Sequence, residues 1–483
     1  MKLKGVMTID LTDAAGKTER HVEENMITEA VNDVFSLNPF GVHFTAGEAL
    51  DSVSWYKEML PICPNLIGGI LLFPRALKED AAAIYPPGDN LPVAYASNDV
   101  NSTANVQRGS LNLNESKVLD NGYRFVWEFS PSQGNGSISA AALTSKWGGA
   151  NAFGSAVETG TTFKLMKKTS IDKLPVETVE KFFNAVEYDF EKEVLFSITY
   201  KDNAVVITKL RVPSLTLGLN EQLNDTTLTV LDEQAIDCKD FLWEASYQVC
   251  ADFFDGQDGY WYGFSTAGNE EGDAVLYWIR IKKEDYSATE GSWTLSNAAL
   301  SPIGSRLSSG TMPRRKLYSV VRKGYLYVMG YGLDCIYKIN ITNQTDITKI
   351  PLGFTSEWKS MGTTSQSEAK MICVNDIIMA WDFYMAIDDK PVQITGTQRI
   401  KEPASPFFQY KNYMVQWGAG YGNAYRNVFL LSPYLASVNN LSETLTKTAE
   451  MTMKITYEVT EEKEGDAAAG DEASGSGAGE TTA

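Results

Sequence analysis

KLYSVVRKGYLYVMGYGLDCIYKINI, residues 316–341, decides the fold. Short runs rich in Val, Ile and Tyr are cut at Lys323-Gly324 and again at Gly332, which marks consecutive antiparallel strands joined by tight turns. The same grammar recurs on both sides. EVLFSITYKDNAVVITKLRVP (193–213) turns at Lys201-Asp202-Asn203. YQVCADFFDGQDGYWYGFS (247–265) turns at Asp255-Gly256 and Asp258-Gly259, and DAVLYWIRI (273–281) follows it. AKMICVNDIIMAWDFYMAI (369–387) turns at Asn375-Asp376, and FFQYKNYMVQWG (407–418) at Lys411-Asn412 before NVFLLS (427–432). A lone hairpin cannot bury its apolar face. Stacking such units around an axis covers those faces and leaves only short edges. The expected fold is therefore mainly β: an irregular β-propeller-like body with a small α+β element formed by the N- and C-terminal segments. Because the spacing is irregular and no WD or kelch signature is present, a β-sandwich or barrel pair is the competing arrangement.

Outward from the body, five segments are expected. Residues 1–63 form a docking element: KGVMTIDLTD (4–13) alternates, Ala15-Gly16 turns, ERHVEENMI (19–27) returns, and Thr28 caps a helix over TEAVNDVFSL before Asn38-Pro39. A second short helix is expected over 49–60. Residues 64–154 form a β block that reads as a small β domain or a first propeller blade, the blade being favoured, with GYRFVWEFS (122–130) and GSISAAALTSK (136–146) as an antiparallel pair. Residues 155–432 carry the propeller-like repeats, entered through LPVETVEKFFNAVEYD (174–189), which has some helical periodicity. In 433–462, MTMKITYEVTEE (451–462) matches the alternation of residues 4–13, so the two are expected to pair, as termini often lie close together. Residues 463–483 are Gly, Ala, Ser and acid, with too little apolar surface to offset ordering entropy, so a disordered acidic tail is expected.

The chain has 483 residues, more than one core usually holds, and 43% of them are apolar. Its net charge is −19, of which six charges fall in the last 23 residues. Such a surface repels phosphate backbones and anionic membranes, so neither nucleic acid nor membrane insertion is expected. The opening residues lack the apolar core of a signal peptide, and LIGGILLF (66–73) is too short to span a bilayer. Five scattered cysteines (63, 238, 250, 335 and 373) show no metal or redox spacing, which suits a reducing compartment of synthesis.

Chemistry is sparse. The only histidines, His21 and His43, follow no nucleophile elbow, and no G-x-S-x-G is present. Asp252, Asp255 and Asp258 are spaced by three, unlike a calcium loop. The expectation is no catalytic residue, no cofactor and no metal, and hence no enzyme. The alternative is a polysaccharide-acting glycosidase or lyase on a propeller scaffold, with Asp334, Asp376 and Asp382 as candidate carboxylates. Tyr260, Trp261 and Tyr262 are candidate sugar-stacking rings, joined by Tyr277 and Trp278, although alternation turns about half of them inward. A glycine-rich loop at 418–427 offers Tyr421, Tyr425 and Arg426 as a candidate contact surface.

Three stretches together carry a resemblance: ENMITEAVNDVFSLNP (24–39), IGGILLFPRALKEDAAAIYPP (67–87) and YLASVNNLSETLTKTAEMTMKITYEVTEE (434–462). They resemble segments of virion structural proteins of tailed phages and prophages of Gram-positive hosts, often encoded among the tail genes. The resemblance covers both ends and the 64–154 block, and it carries over no functional residue. It implies a virion protein made in the host cytoplasm, at the tail tip, fibre or collar. Its partners would be other virion proteins, further copies of itself within the particle, and a host-surface glycan or receptor met by its loops.

Overall fold

The structure, a computed structural model, describes residues 3–35, 62–100, 105–150, 163–171, 184–201, 204–213, 227–241, 252–266, 272–300, 317–357, 371–380, 382–394, 407–420 and 423–461, with Thr178, Lys181 and Phe182. It is mainly β, built from several small antiparallel sheets. The chain opens with β1 (Leu3–Thr12), β2 (Thr18–Glu24), β3 (Met26–Ile27) and helix α1 (Glu29–Phe35). Then come α2 (Ile62–Leu66), β4 (Gly69–Phe73), β5 (Ala94–Ala96), β6 (Ser110–Leu111), β7 (Lys117–Leu119), β8 (Gly122–Phe129), β9 (Gly136–Thr144), α3 (Lys146–Ala150) and β10 (Phe163–Ile171).

Four sheets of four consecutive strands follow. Sheet I holds β11 (Ala185–Asp189), β12 (Val194–Lys201), β13 (Ala204–Arg211) and β14 (Thr229–Asp237). Sheet II holds β15 (Asp252–Asp255), β16 (Tyr260–Thr266), β17 (Ala274–Lys282) and β18 (Ala288–Leu295). Sheet III holds β19 (Ser319–Arg322), β20 (Tyr325–Met329), β21 (Cys335–Asn340) and β22 (Asn343–Pro351). Sheet IV holds β23 (Ile372–Val374), β24 (Ile377–Met379), β25 (Phe383–Met385) and β26 (Pro391–Gln393). Sheet V has only three strands from this part of the chain, β27 (Phe407–Tyr410), β28 (Tyr413–Gly420) and β29 (Asn423–Leu431). Its fourth strand is β10, which pairs with β29 from Phe163↔Leu431 to Ile171↔Ala424. The chain closes with β30 (Ser437–Lys447) and β31 (Thr452–Glu461).

The first and last strands lie side by side, in antiparallel register from Leu3↔Glu461 to Thr12↔Thr452. They are the middle of a six-stranded sheet, β2-β1-β31-β8-β6, with β7 also paired to β8. A five-stranded sheet, β3-β30-β9-β4-β5, packs against it. Strict alternation sends Met7, Ile9 and Leu11, with Met453, Ile455, Tyr457 and Val459, into the shared core, where Trp127 is fully buried. Each such side chain contributes roughly 1.5–3 kcal/mol on burial. The same cluster runs on into sheets I and V through Tyr188, Leu195, Tyr413 and Leu430. Glycine permits the tightest approach: a Cβ on Gly69 would stand 2.9 Å from the Gly149 Cα, so the paired glycines let α3 lie directly on β4.

Several expectations are corrected. Residues 64–154 form no four-stranded sheet of their own; their strands complete the two terminal sheets. Strands β8 and β9 are not a hairpin pair, because the turn between them crosses from one layer of the sandwich to the other. Alternation marks which face of a strand is apolar, not which strand lies next to it. Of the stretch 174–189 read as partly helical, Thr178, Lys181 and Phe182 are helical, while Ala185–Asp189 is strand β11, held by its ladder to β12. The helix capped by Thr28 is present as α1, with Ala30 N donating to Thr28 Oγ1 at 3.3 Å. The second helix, expected over 49–60, and the tail 463–483 lie outside the described residues. Among the described residues, no helix is long and apolar enough to cross a membrane.

Candidate functional site

The first strands of all five four-stranded sheets line one cavity of about 610 Å³. Glu187 and Tyr188 come from β11, Phe254 and Asp255 from β15, Val320 and Arg322 from β19, Cys373 and Val374 from β23, and Phe407 and Phe408 from β27. The turns after all five of these strands adopt positive φ, at Glu193 (54°), Gln257 (59°), Lys323 (48°), Asn375 (50°), Asp376 (63°) and Lys411 (50°). Positive φ matches the turn to the right-handed twist of its strands, and Asn, Asp and Gly tolerate it best, which is why such residues punctuate the sequence there.

Each sheet touches the next. Between I and II, Lys283 Nζ lies 2.6 Å from Glu187 and 2.7 Å from Asp255, while Trp261 Nε1 donates to Glu187 Oε2 at 2.9 Å. Burial would lower the Lys283 pKa, but hydrogen bonds to Asp255 and Glu187 outweigh it and hold the ammonium above the ordinary lysine range. Between II and III, Tyr331 N donates to Ala299 O at 2.8 Å above a shared core of Tyr262, Leu276, Leu326 and Ile339. Between III and IV, buried Arg322 places Nη1 2.9 Å from both Asp376 O and Ala386 O, and its Nη2 meets the Tyr327 hydroxyl and the Asp389 carboxylate. Lys323 pairs with Asp376 at 2.6 Å. Val374 packs with Met414 and Leu431 between IV and V, and Tyr188 with Phe408 and Phe190 with Tyr410 bring V against I.

The lining of this rim includes three carboxylates, Glu187, Asp255 and Asp376, and two cations, Arg322 and Lys323. Glu187 and Asp255 share one lysine, and Asp376 is tied to another. The amides of Gln257, Asn375 and Gln409, with the rings of Phe254, Phe407 and Phe408, complete the lining. That combination offers hydrogen bonds and apolar contact to a guest.

The residues singled out in the sequence are dispersed. Trp261 and Tyr262 are buried, so they are core and not a stacking surface; the Tyr262 hydroxyl donates to Asp258 Oδ2 at 2.7 Å. Tyr260 is half-buried under Arg280, whose guanidinium lies 4.5 Å from the ring centre. Trp278 stacks loosely on Trp293, and Tyr277 packs at the edge of the core between sheets I and II. The stretch 418–427 is not a loop: its described residues belong to β28 and β29, and the backbones of Tyr425 and Arg426 pair on both sides, while Tyr421 lies outside the described residues. Asp382 is buried, accepting from Ser356 Oγ at 2.6 Å and Glu357 N at 2.7 Å, so it anchors a turn; Asp334 is exposed beside Gly332. Sequence reasoning missed Arg322, Lys283 and Glu187, each of which has a partner on another sheet and so leaves no local pattern.

Among the described residues, one group has metal-ligand chemistry: Glu19, His21 and Glu443. Glu19 sits 3.1 Å from His21 Nε2 and Glu443 3.7 Å from Nδ1, so the carboxylates face opposite ring nitrogens and the histidine bridges them. The i, i+2 spacing of Glu19 and His21 on one strand face was the available signal. Cys63, Cys238, Cys335 and Cys373 are free thiols; burial pushes the first three up to about 11 and Cys373 up to about 12. His43 and Cys250 lie outside the described residues.

No family model matches the chain and no curated protein matches it. Among solved structures, an uncharacterized protein lmo1340 from Listeria monocytogenes EGD-e aligns at 10% identity over 54% of this chain and 66% of its own, with a TM-score of 0.21. Apo AztD from Citrobacter koseri aligns at 9% identity over 96% of this chain and all of its own, also with a TM-score of 0.21. At those scores neither likeness establishes a shared fold, and the site stands on its own geometry.

Proposed function

We propose that the five four-stranded sheets are blades of a β-propeller-like ring, and that the chain is a tail-associated virion structural protein of a phage or prophage of a Gram-positive host. Sheet V draws its outer strand from β10, ahead of sheet I in the chain, and this supports closure of the ring by strand exchange between its two ends. In this reading the terminal sandwich docks the chain to other virion proteins and to further copies of itself, while the ring presents its turns to a host-surface glycan or receptor.

One observation carries the virion reading. The three stretches that resemble virion proteins are remote in sequence, yet they are built into a single seam. Thr28 N donates to Ala436 O at 3.1 Å, Glu29 N to Ala81 O and Leu435 N to Ile84 O each at 2.8 Å, and Asn440 Nδ2 to Leu77 O at 2.9 Å. A resemblance concentrated in one structural unit suits a common docking element that carries a variable body. The amides and phenyl rings in the rim support a sugar as the ring's ligand.

The test is mass spectrometry of particles purified from an induced host, with antibody labelling of the same particles in the electron microscope. The chain is expected in the particles, with label confined to the tail. Its absence from particles that retain their other structural proteins overturns the reading. Release of soluble sugar from host wall polysaccharide by the purified protein would replace it with the glycosidase alternative.

A further inference from the structure

Lys447, at the end of β30, is 1% exposed and directs its ammonium into the turn between β8 and β9. Its Nζ donates to Ser130 O at 2.9 Å, to Pro131 O at 3.4 Å and to Asn135 Oδ1 at 2.9 Å. All three are neutral oxygens. In the ladder Lys447 stands opposite Gly136, the residue after Asn135. Asn135 is exposed, its Nδ2 donates to Pro131 O at 2.9 Å, and Gly136 has a φ of +139° with open space where a Cβ would be.

We propose that Asn135-Gly136 is a self-modification site, at which Lys447 polarises the Asn135 carboxamide, the side chain deamidates, and the new carboxylate becomes the counter-ion that the buried ammonium lacks. The Gly136 amide nitrogen attacks Asn135 Cγ, and a new N–Cγ bond forms. Negative charge gathers on Oδ1, next to the ammonium, where a fixed cation stabilises the tetrahedral intermediate. The Cγ–Nδ2 bond then breaks, and Nδ2 leaves as ammonia with the proton from the Gly136 amide. Water opens the cyclic imide at Cγ to give aspartate, or at the main-chain carbonyl to give isoaspartate. One water enters, one ammonia leaves, and no oxidant is needed. Glycine suits the step because no side chain shields its nitrogen.

The product explains why the lysine is there. A buried ammonium held only by neutral oxygens is costly, and a carboxylate at the same hydrogen-bonding position offsets that cost. Burial pushes the Lys447 pKa down to about 8, and no charged group on the neighbouring strands or turn contributes to that shift. The ammonium therefore predominates at neutral pH and is lost above pH 8.

The experiment follows the full chain by intact mass and peptide mapping during warm incubation at several pH values. The wild type is expected to gain the Asn-to-Asp mass difference at residue 135. Lys447→Met is expected to slow that conversion by about tenfold or more, with Lys447→Gln as substitute if the Met variant unfolds. Conversion normally accelerates with pH; in the wild type the rise should flatten above about pH 8, and in Lys447→Met it should not. Asn135→Gln keeps the acceptor and should remain unconverted, while Asn135→Asp should melt higher than the wild type. An unchanged wild-type mass, or equal rates with and without Lys447, overturns the proposal. So does a lasting loss of the mass of ammonia with residues 135 and 447 recovered in one joined peptide, which would signal an amide cross-link and not the cyclic imide, since the imide takes up water.

Discussion

The terminal sandwich and the four-stranded sheets cover their apolar faces by different routes. Sheets I to IV each take four strands in chain order, so every ladder joins neighbours in sequence. The sandwich joins residues 3–12 to 452–461, and 122–129 to the same final strand. Local ladders need short loop closures; remote ones form only once most of the chain is in place. Yet among the described residues the sandwich holds the largest continuous core, which also reaches into sheets I and V. Stability is thus concentrated where sequence separation is greatest.

The largest expected effect tests that concentration. Trp127 is fully buried, stacks 5.4 Å from Phe125 and donates from Nε1 to Ser97 O at 2.9 Å. Trp127→Ala is expected to cost about 3–5 kcal/mol and to unfold the sandwich and sheets I and V together. Two separated transitions in a urea titration would show instead that the regions are energetically independent.

Arg322 is the counterpart within the body, a buried cation that fastens sheet III to sheet IV. Arg322→Met should cost about 3 kcal/mol, because it strands the carbonyls of Asp376, Met385 and Ala386, while Asp389 keeps Lys338 and the Tyr327 hydroxyl. Hydrogen exchange should rise in sheets III and IV and stay unchanged in the terminal sheets. Next comes Glu290, whose carboxylate accepts from three successive backbone amides, Lys239 N at 2.7 Å, Asp240 N at 3.0 Å and Phe241 N at 2.6 Å. Glu290→Gln should lower stability by about 2 kcal/mol in thermal melts, since charge-assisted bonds of this kind are worth roughly 1.5–3 kcal/mol.

Lys447 gives the sandwich a pH signature opposite in sign to that of the thiols Cys238, Cys335 and Cys373 of the body, whose raised pKa values make stability fall as pH rises. The Lys447 pKa is about 8 in the folded chain against an ordinary 10.5. Between those values the unfolded chain binds the proton that the folded chain has released, so stability rises with pH through that window. Below pH 8 both states carry the charge, and its burial cost is fully present. Lys447→Met should flatten the slope of melting temperature between pH 8 and 10. The smallest effect belongs to the exposed Lys323–Asp376 pair, where Lys323→Ala should cost under about 1 kcal/mol, with no change in either region's exchange pattern.

Much of the body was legible one hairpin at a time. Lys323-Gly324, Asn375-Asp376 and Lys411-Asn412 mark turns, and the structure places a turn at each. The matched alternation of residues 4–13 and 451–462 was enough to suggest that they pair, as β1 and β31 do. The strands of 64–154 were legible as strands but not as members of the sandwich, since nothing in GYRFVWEFS names MTMKITYEVTEE as its neighbour. For the candidate site, Asp255, Asp376 and Lys323 were visible as turn residues, but their ion pairs were not, because pairs across or between sheets have no fixed spacing in the chain.

The sequence by itself determined strand-rich structure, the positions of the tight turns, and which face of each long strand is apolar, because these follow from backbone sterics and a two-residue period. Only the tertiary structure decided that β10 completes sheet V, that three remote stretches share one seam, and that five first strands surround one cavity. Those outcomes depend on which apolar faces can be packed together in three dimensions, a property of the whole chain that no local pattern encodes.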